Sequence, residues 1–267
     1  MYNFDYVKPG SVDEAVAALA DEDAMPISGG QTLIPTLKAR LAMPSALVDL
    51  TAAVPAGVMT DRGGTVHIGG ATVHAVVAKE AGGVPGLADL AAHIGDPQVR
   101  NKGTIGGSLA NNDPAACYPA AALALGATIK TNKREIAADD YFQGMFDTAL
   151  EEGEIITGVE FPSSHSTTAA VHAGNYQKFV QPASRFALTG VYVAKFSDSV
   201  RVAVTGASES GVFRWTAAEE ALSANFSPDA VPAAPSADGM IGDIHGTPEY
   251  RAHLVHVMTK RAVAACV

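Results

Sequence analysis

Apolar positions along this chain keep two rhythms, one helical and one of strands. After Ser11, the residues Val12, Ala15, Val16 and Leu19 recur at helical spacing, and Ser11 with Glu14 has the S-x-x-E form of a capping box, which predicts a helix over residues 12–20. A short apolar run, Met25 to Ser28, ends in Gly29-Gly30, and Leu33, Leu37 and Leu41 then recur at every fourth position, so the order strand, glycine turn, helix is predicted. Ala46 to Leu50 and Thr65 to Gly69 read as strands around Asp61-Arg62-Gly63-Gly64, which marks a hairpin or a lobe boundary, and Thr72 is expected to cap a short helix through Val73, Val76 and Val77. Helices follow at Gly86 to Ile94 and at Pro119 to Leu125, the latter with Gly126 as its stop.

The second half changes character. Gly153 to Pro162 predicts a strand, and the small polar run Ser163 to Ala173 predicts a linker or loop. Tyr176 to Val180, Ala187 to Phe196 and Val200 to Ala207 are rich in β-branched and aromatic residues and predict three strands, with helices at Thr216 to Ser223 and Thr247 to Cys266 and a loop over Asp229 to Gly246 between them. A shift from mixed elements to hairpin-like strands suggests a second domain, within an α+β fold. Residues 1–174 are expected to form the first domain, in lobes of about 1–57 and 58–174, and residues 175–267 a smaller second domain built on an antiparallel sheet.

The 267 residues suffice for a substantial core. With 18 basic against 28 acidic side chains the formal charge is −10, which argues against an extended nucleic-acid footprint or an anionic membrane surface. A phosphate group, if bound, must then be held locally by backbone donors. Cys117 and Cys266 are the only cysteines, too few for a disulfide framework or a cysteine-ligated iron–sulfur cluster. The N-terminal residues lack the basic and apolar regions of a secretory signal, and no run approaches the roughly 20 apolar residues of a spanning helix, so a cytoplasmic protein without membrane insertion is expected.

Candidate chemistry gathers in two glycine-rich segments. Gly103-Thr104-Ile105-Gly106-Gly107-Ser108-Leu109-Ala110-Asn111-Asn112-Asp113-Pro114 concentrates glycines, hydroxyls, amides and a carboxylate, and Ser28-Gly29-Gly30-Gln31-Thr32-Leu33-Ile34-Pro35 offers similar chemistry earlier. Glycine lets backbone N–H groups converge on phosphate oxygens, so a dinucleotide gripped from two sides is one reading. An ordinary glycine turn before a helix, and a tight turn system, are the alternatives. P-loop, Rossmann, H-E-x-x-H and G-x-S-x-G patterns are absent. None of the eight histidines has metal-ligand spacing.

Both segments, with Ile94 to Asn101, Tyr176-Gln177-Lys178-Phe179 and Asp243 to Arg251, resemble the medium subunit of molybdenum hydroxylases, the group that includes aerobic carbon monoxide dehydrogenase and xanthine dehydrogenase. The resemblance spans nearly the whole chain. It implies a two-lobed PCMH-type FAD-binding domain, a smaller α+β domain after it, and non-covalent FAD. It implies that Ser28, Gly29, Gly30, Gln31, Thr32 and Leu33 meet the pyrophosphate, that Thr104, Gly106, Gly107, Ser108, Asn111 and Asp113 hold phosphate, ribityl and ribose oxygens, that Ile156 packs on the cofactor, and that Lys178 faces the flavin ring. Cys117 stands where many relatives carry an acid, and Phe186 where some place a tyrosine beside the ring. The partners implied are a large molybdopterin subunit and a small subunit with two [2Fe–2S] clusters, in a dimer of heterotrimers. No residue of this chain is expected to be catalytic toward an organic substrate. A self-contained FAD-dependent oxidoreductase and a cofactor-free scaffold protein are the rival readings.

Overall fold

The computed structural model describes residues 1–266. Its first layer is a parallel sheet: β1 (Asp5–Val7), α1 (Val12–Ala18), β2 (Met25–Ile27), α2 (Leu33–Lys38) and β3 (Ala46–Asp49) alternate in sequence, and the strands lie in the order β1-β3-β2. Parallel neighbours need a crossover, which the two helices supply. Asp49 ties the sheet together by accepting bonds from Tyr6 of β1 and from the amide and hydroxyl of Thr51.

A five-stranded antiparallel sheet comes next. It is built from β4 (Val58–Thr60), β5 (Thr65–Gly69), β6 (Thr128–Thr131), β7 (Glu135–Ala137) and β10 (Ile156–Pro162), in the order β4-β5-β10-β6-β7. Between β5 and β6 run α3 (His74–Glu80), α4 (Leu87–Ala92), α5 (Pro97–Arg100), α6 (Ile105–Asn111) and α7 (Tyr118–Leu125). After β7 come α8 (Ala138–Tyr141) and the small hairpin of β8 (Phe142–Gly144) and β9 (Asp147–Thr148). The last sheet, β11 (Ala173–Val180), β12 (Ala187–Lys195), β13 (Val200–Thr205) and β14 (Phe213–Arg214), is a meander covered by α9 (Thr216–Ala224) and α10 (Pro248–Ala265).

Strand β12 shows how the last sheet serves two cores. Val191 and Val193 point into a cluster with Trp215, Leu222, Val255 and Met258, whereas Tyr192 and Ala194 join the main core around α7. The alternation is the period of two of a strand buried on both faces. Every residue of α7 is buried, so this helix is apolar all round, as a helix packed between layers must be.

Several expectations need correction. Thr72 caps nothing: its hydroxyl accepts from Gly57 N at 2.8 Å and donates to Gly57 O at 3.2 Å, and Val73 stands at the cap position of α3 without a side-chain cap bond. Ser11 does accept from Glu14 N, but Glu14 reaches back to Gly10 N rather than to its own cap, and the helix stops at Ala18. The Leu33-Leu37-Leu41 stripe is broken because the helix ends at Lys38, Arg40 takes φ 59°, and Leu41 is 79% exposed. The second glycine segment is itself a helix, α6, despite the poor helix propensity of Gly106 and Gly107, because Thr104 accepts from Gly107 N and caps it. Of the linker and the loop expected over 163–173, the structure has the loop, ending where β11 begins at Ala173, and it is tied down: Ser163 N bonds Gly64 O, Ser164 N bonds Gly83 O and Val171 is fully buried. Short elements β4, β6, β7, α5, α8, β8 and β9 had too few residues to register a period.

The last sheet is stitched to the chain before it by polar bonds as well as by packing. Thr205 Oγ1 sits 2.6 Å from Pro114 O and 2.7 Å from Ala116 O, and Gly206 N donates to Pro114 O at 2.6 Å. Replacing Thr205 by the isosteric Val orphans the Ala116 carbonyl, and urea denaturation is expected to show a loss of about 1–3 kcal/mol. An unchanged midpoint would mean that the hydroxyl carries no share of the junction.

Candidate functional site

Strand β2 ends at Ile27 and delivers Ser28-Gly29-Gly30 to a point where the backbone must come very close to another strand of chain. A Cβ on Gly29 would lie 2.1 Å from Lys102 O and 2.6 Å from Gly103 Cα. Gly30 has φ +68°, a left-handed conformation that glycine adopts freely. Thr104 Oγ1 donates to Ser28 Oγ at 3.2 Å across the same seam. The two glycine segments are thus pressed together backbone to backbone, and the groove between the parallel sheet, α6 and the Leu150–Ile156 segment is a cavity of about 860 Å³. That is ample for a cofactor.

Ser28, Gly29, Gly30, Gln31, Thr32, Leu33, Thr104, Gly106, Gly107, Ser108, Asn111, Asp113 and Ile156 all line this cavity. Their polar groups differ in availability. Among the described residues, the amides from Gly29 to Leu33 make no hydrogen bond within the chain, while Gln31 Nε2 folds back on Gly29 O. Amides of the second segment are spent: Ile105 N goes to Thr72 O, Gly106 N to Gly70 O, Gly107 N to Thr104 Oγ1 and Ser108 N to Thr104 O. What that segment can offer a ligand is side chains, namely the Ser108 hydroxyl, the Asn111 amide and the Asp113 oxygen that does not accept from Ala115 N. Gly106 and Gly107 were expected to present backbone to phosphate. Gly106 instead lets α6 press on Gly70, whose carbonyl a Cβ would meet at 2.6 Å.

No lysine or arginine among the described residues lines the cavity, although Asp21, Glu22, Glu151, Glu152 and Glu154 do. An anion there is met by the free amides from Gly29 to Leu33 and by neutral side-chain donors, not by a cation. Lys178 lies outside the lining. Its ammonium donates to His93 O at 2.8 Å and Arg185 O at 2.9 Å and sits 3.6 Å from Cys117 Sγ, so it bridges the end of α4 and the β11–β12 hairpin. Cys117, which the ammonium touches, is followed back along the chain by Ala116 in the cavity wall.

Other wall residues escaped the sequence patterns. His74, at the start of α3, is buried with Nδ1 unpartnered, and burial, helped by Arg100, pulls its pKa down to about 4 and keeps the ring neutral. The Leu150–Ile156 wall is clamped from behind. Glu154 accepts from Thr131 Oγ1 at 2.7 Å, Arg134 Nε at 3.1 Å and Glu151 N at 2.8 Å, and Asn132 Oδ1 accepts from Ile155 N. Burial alone would raise the Glu154 carboxyl, but the bonds from Arg134, Glu151 and Thr131 outweigh it and hold the pKa at about 2. Only a run of carboxylates near Gly153 hinted at this in the sequence. No group of histidine, cysteine and carboxylate side chains among the described residues is placed to hold a metal ion, and no helix among them is long and apolar enough to cross a membrane.

Residues 2–164 match the family described as the FAD binding domain in molybdopterin dehydrogenase. The nicotine 6-hydroxylase medium subunit of Paenarthrobacter nicotinovorans is 35% identical, over 97% of this chain and 95% of that protein. The carbon monoxide dehydrogenase medium chain of Afipia carboxidovorans is 33% identical, over 98% of this chain and 96% of its own. Among solved structures, reconstituted carbon monoxide dehydrogenase from Oligotropha carboxidovorans superposes with a TM-score of 0.85 at 30% identity, covering 99% of this chain and 97% of that one. Quinoline 2-oxidoreductase from Pseudomonas putida 86 gives a TM-score of 0.84 at 28% identity, covering 99% and 96%.

Two outcomes follow from this geometry. Gly29→Ala forces the seam apart and is expected to destabilise the chain by about 1–3 kcal/mol. Gly107→Ala, whose Cβ meets only Thr104 Oγ1 at 2.9 Å, is expected to cost less, because alanine favours the helix by up to about 1 kcal/mol. Thermal melts of both variants check the order, and equal losses would refute it. For Glu154, a pKa held below the ordinary carboxylate value means that its contribution is complete above about pH 4.5 and disappears as pH falls through about 2. Glu154→Gln should therefore cost about 1.5–3 kcal/mol near neutral pH and progressively less in acid, as urea midpoints taken from pH 7 to pH 2 would record.

Proposed function

The chain belongs to the family of FAD-binding domains of molybdopterin dehydrogenases, and from that premise we propose that it is the FAD-carrying medium subunit of a molybdenum hydroxylase, moving electrons from a partner's [2Fe–2S] clusters to an external acceptor. The observation that carries this proposal is the run of unbonded amides from Gly29 to Leu33 opening on a cavity of about 860 Å³ without a lysine or arginine in its walls. A pyrophosphate fits such a place because successive N–H groups at a helix start form an anion cradle that needs no side-chain cation.

In this assignment Gly29 to Leu33 hold the pyrophosphate of non-covalent FAD, with the Ser28 and Thr32 hydroxyls beside them. Ser108, Asn111 and Asp113 take the ribityl and ribose hydroxyls, Thr104 locks the two segments together, and Gly106 and Gly107 shape the wall. Ile155 and Ile156 keep water from the apolar part of the ligand. FAD, when bound, supplies the capacity to exchange electrons singly or in pairs. Lys178 acts as a strut that sets the β11–β12 hairpin against α4, one residue removed from the wall at Ala116. The domains we propose are 1–174, with lobes meeting near residue 57, and 175–267.

Relatives are named as medium subunits or chains, which supports a three-subunit assembly with a large molybdopterin subunit and a small iron–sulfur subunit, paired as a dimer of heterotrimers in the cytoplasm. Substrate oxidation would then belong to the large subunit.

Purified chain is expected to carry the absorption of oxidised flavin, to leave organic substrates untouched, and to have its flavin reduced by substrate only after the other two subunits are added. Flavin reduction by substrate in the lone chain would establish a self-contained oxidoreductase instead. A colourless chain that takes up no added FAD would leave the scaffold as the better description.

A further inference from the structure

The nitrogen of Lys178, on β11, and the sulfur of Cys117, the residue before α7, lie 3.6 Å apart. Lys178 Nζ donates to His93 O at 2.8 Å and to Arg185 O at 2.9 Å, so two of the three N–H bonds of the ammonium are fixed and the third is left for Sγ. When the ammonium gives up a proton, the amine keeps two N–H bonds for the two carbonyls. Its lone pair then faces the sulfur.

Cys117 is 5% exposed and follows the short strap, Asp113 to Ala116, that comes after α6. Lys178 is only partly buried, so a solute little larger than water reaches the pair from the lysine side, whereas a bulky thiol is kept away. Tyr176, two residues before Lys178 on the same strand, is 4% exposed, and its hydroxyl has no hydrogen-bond partner. Burial first, and the neighbouring Cys117 sulfur next, hold this phenol well above its usual pKa. Its oxygen presses on Gly190, the β12 residue paired with Lys178, where a Cβ would collide with it. A buried hydroxyl without an acceptor is costly, so an oxygen added to the neighbouring sulfur is favoured there.

We propose that Cys117 and Lys178 are a redox modification site, joined by hydrogen peroxide through a reversible Sγ–O–Nζ bridge. An inserted oxygen requires the two atoms to approach less than a direct sulfur–nitrogen bond does, and the carbonyls that hold Nζ oppose longer travel. One peroxide turns the thiol into a sulfenic acid, and a second turns the amine into a hydroxylamine, each step releasing one water. The hydroxylamine oxygen then bonds to sulfur, and the sulfenic hydroxyl leaves as a third water. Thiol, amine and two peroxides thus give the bridge and three waters. Four electrons pass from the side-chain pair to peroxide, and the surplus proton of the ammonium goes to solvent. The bridge fastens β11 to the start of α7, one residue from the cavity wall at Ala116, and forms with or without flavin in the cavity.

The full chain, treated with hydrogen peroxide, denatured and digested with trypsin, is expected to leave Lys178 uncut and to yield residues 103–130 joined to residues 135–185. The joined peptide should weigh about 14 Da more than its two halves, one oxygen less two hydrogens. Dithiothreitol should separate the halves and restore the cut at Lys178. The thermal midpoint of the oxidised chain should rise and fall back with dithiothreitol, because a link across 61 positions restricts the unfolded chain. Cys117→Ser and Lys178→Arg are each expected to abolish both the joined peptide and the rise. Cys117 found as a sulfenic, sulfinic or sulfonic acid with Lys178 still cut overturns the proposal, as does a joined peptide that persists in Cys117→Ser. A joined peptide lighter than its halves by about 2 Da means a direct sulfur–nitrogen bond and overturns the oxygen bridge. Should either variant fail to fold, the mass and linkage found in the unsubstituted chain decide alone.

Discussion

The approach of the Gly29 backbone to Lys102 and Gly103 is the contact on which the cavity depends. At 2.1 Å from a carbonyl oxygen there is no room for even a methyl group, so two segments far apart in sequence meet main chain to main chain. Side chains would have held them apart and closed the groove from within. Gly106 repeats the device against Gly70, which brings α6 under the same groove. Glycine acts here chiefly by letting chain approach chain, and the space left between is what a ligand can use.

Charge follows from that arrangement. A groove built from backbone has donors of its own, and the amides from Gly29 to Leu33, which lead into α2, have no partner within the chain. Basic side chains are therefore unnecessary, and the protein can be strongly acidic and still offer an anion a place. One of the acidic residues near Gly153 is neutralised in place: Glu154 is engaged in bonds with Arg134, Thr131 and the Glu151 amide, which stiffen the wall from behind.

Helix α7 links this site to the last sheet. Being apolar on every side, it can be buried against α4, α6, β12 and β13 at once. Polar ties complete the junction: Lys178 spans His93 and Arg185, Tyr192 bonds Pro85 O, and Thr205 holds the strap after α6. Asp113 and Ala116 of that strap line the cavity.

The sequence by itself determined the longer periodic elements, the three main strands of the last sheet and the glycine segments that line the groove, because each signal lies within a few neighbouring residues. Ser11 and Gly29-Gly30 show this: a cap or a turn is chosen by local backbone chemistry, and the structure keeps both. Tertiary structure decided which of the chemical groups are free. Thr72 has the form of a cap but is drawn to Gly57, and Gly106 and Gly107 have the form of a phosphate loop but spend their amides on Gly70 and Thr104. Lys178 carries a charge that composition alone would send to solvent or to a ligand, yet two carbonyls brought from elsewhere in the chain hold it. A hydrogen-bonding group can satisfy itself with any partner the fold brings within about 3 Å, and which partner arrives depends on contacts between residues tens of positions apart, which no local pattern records.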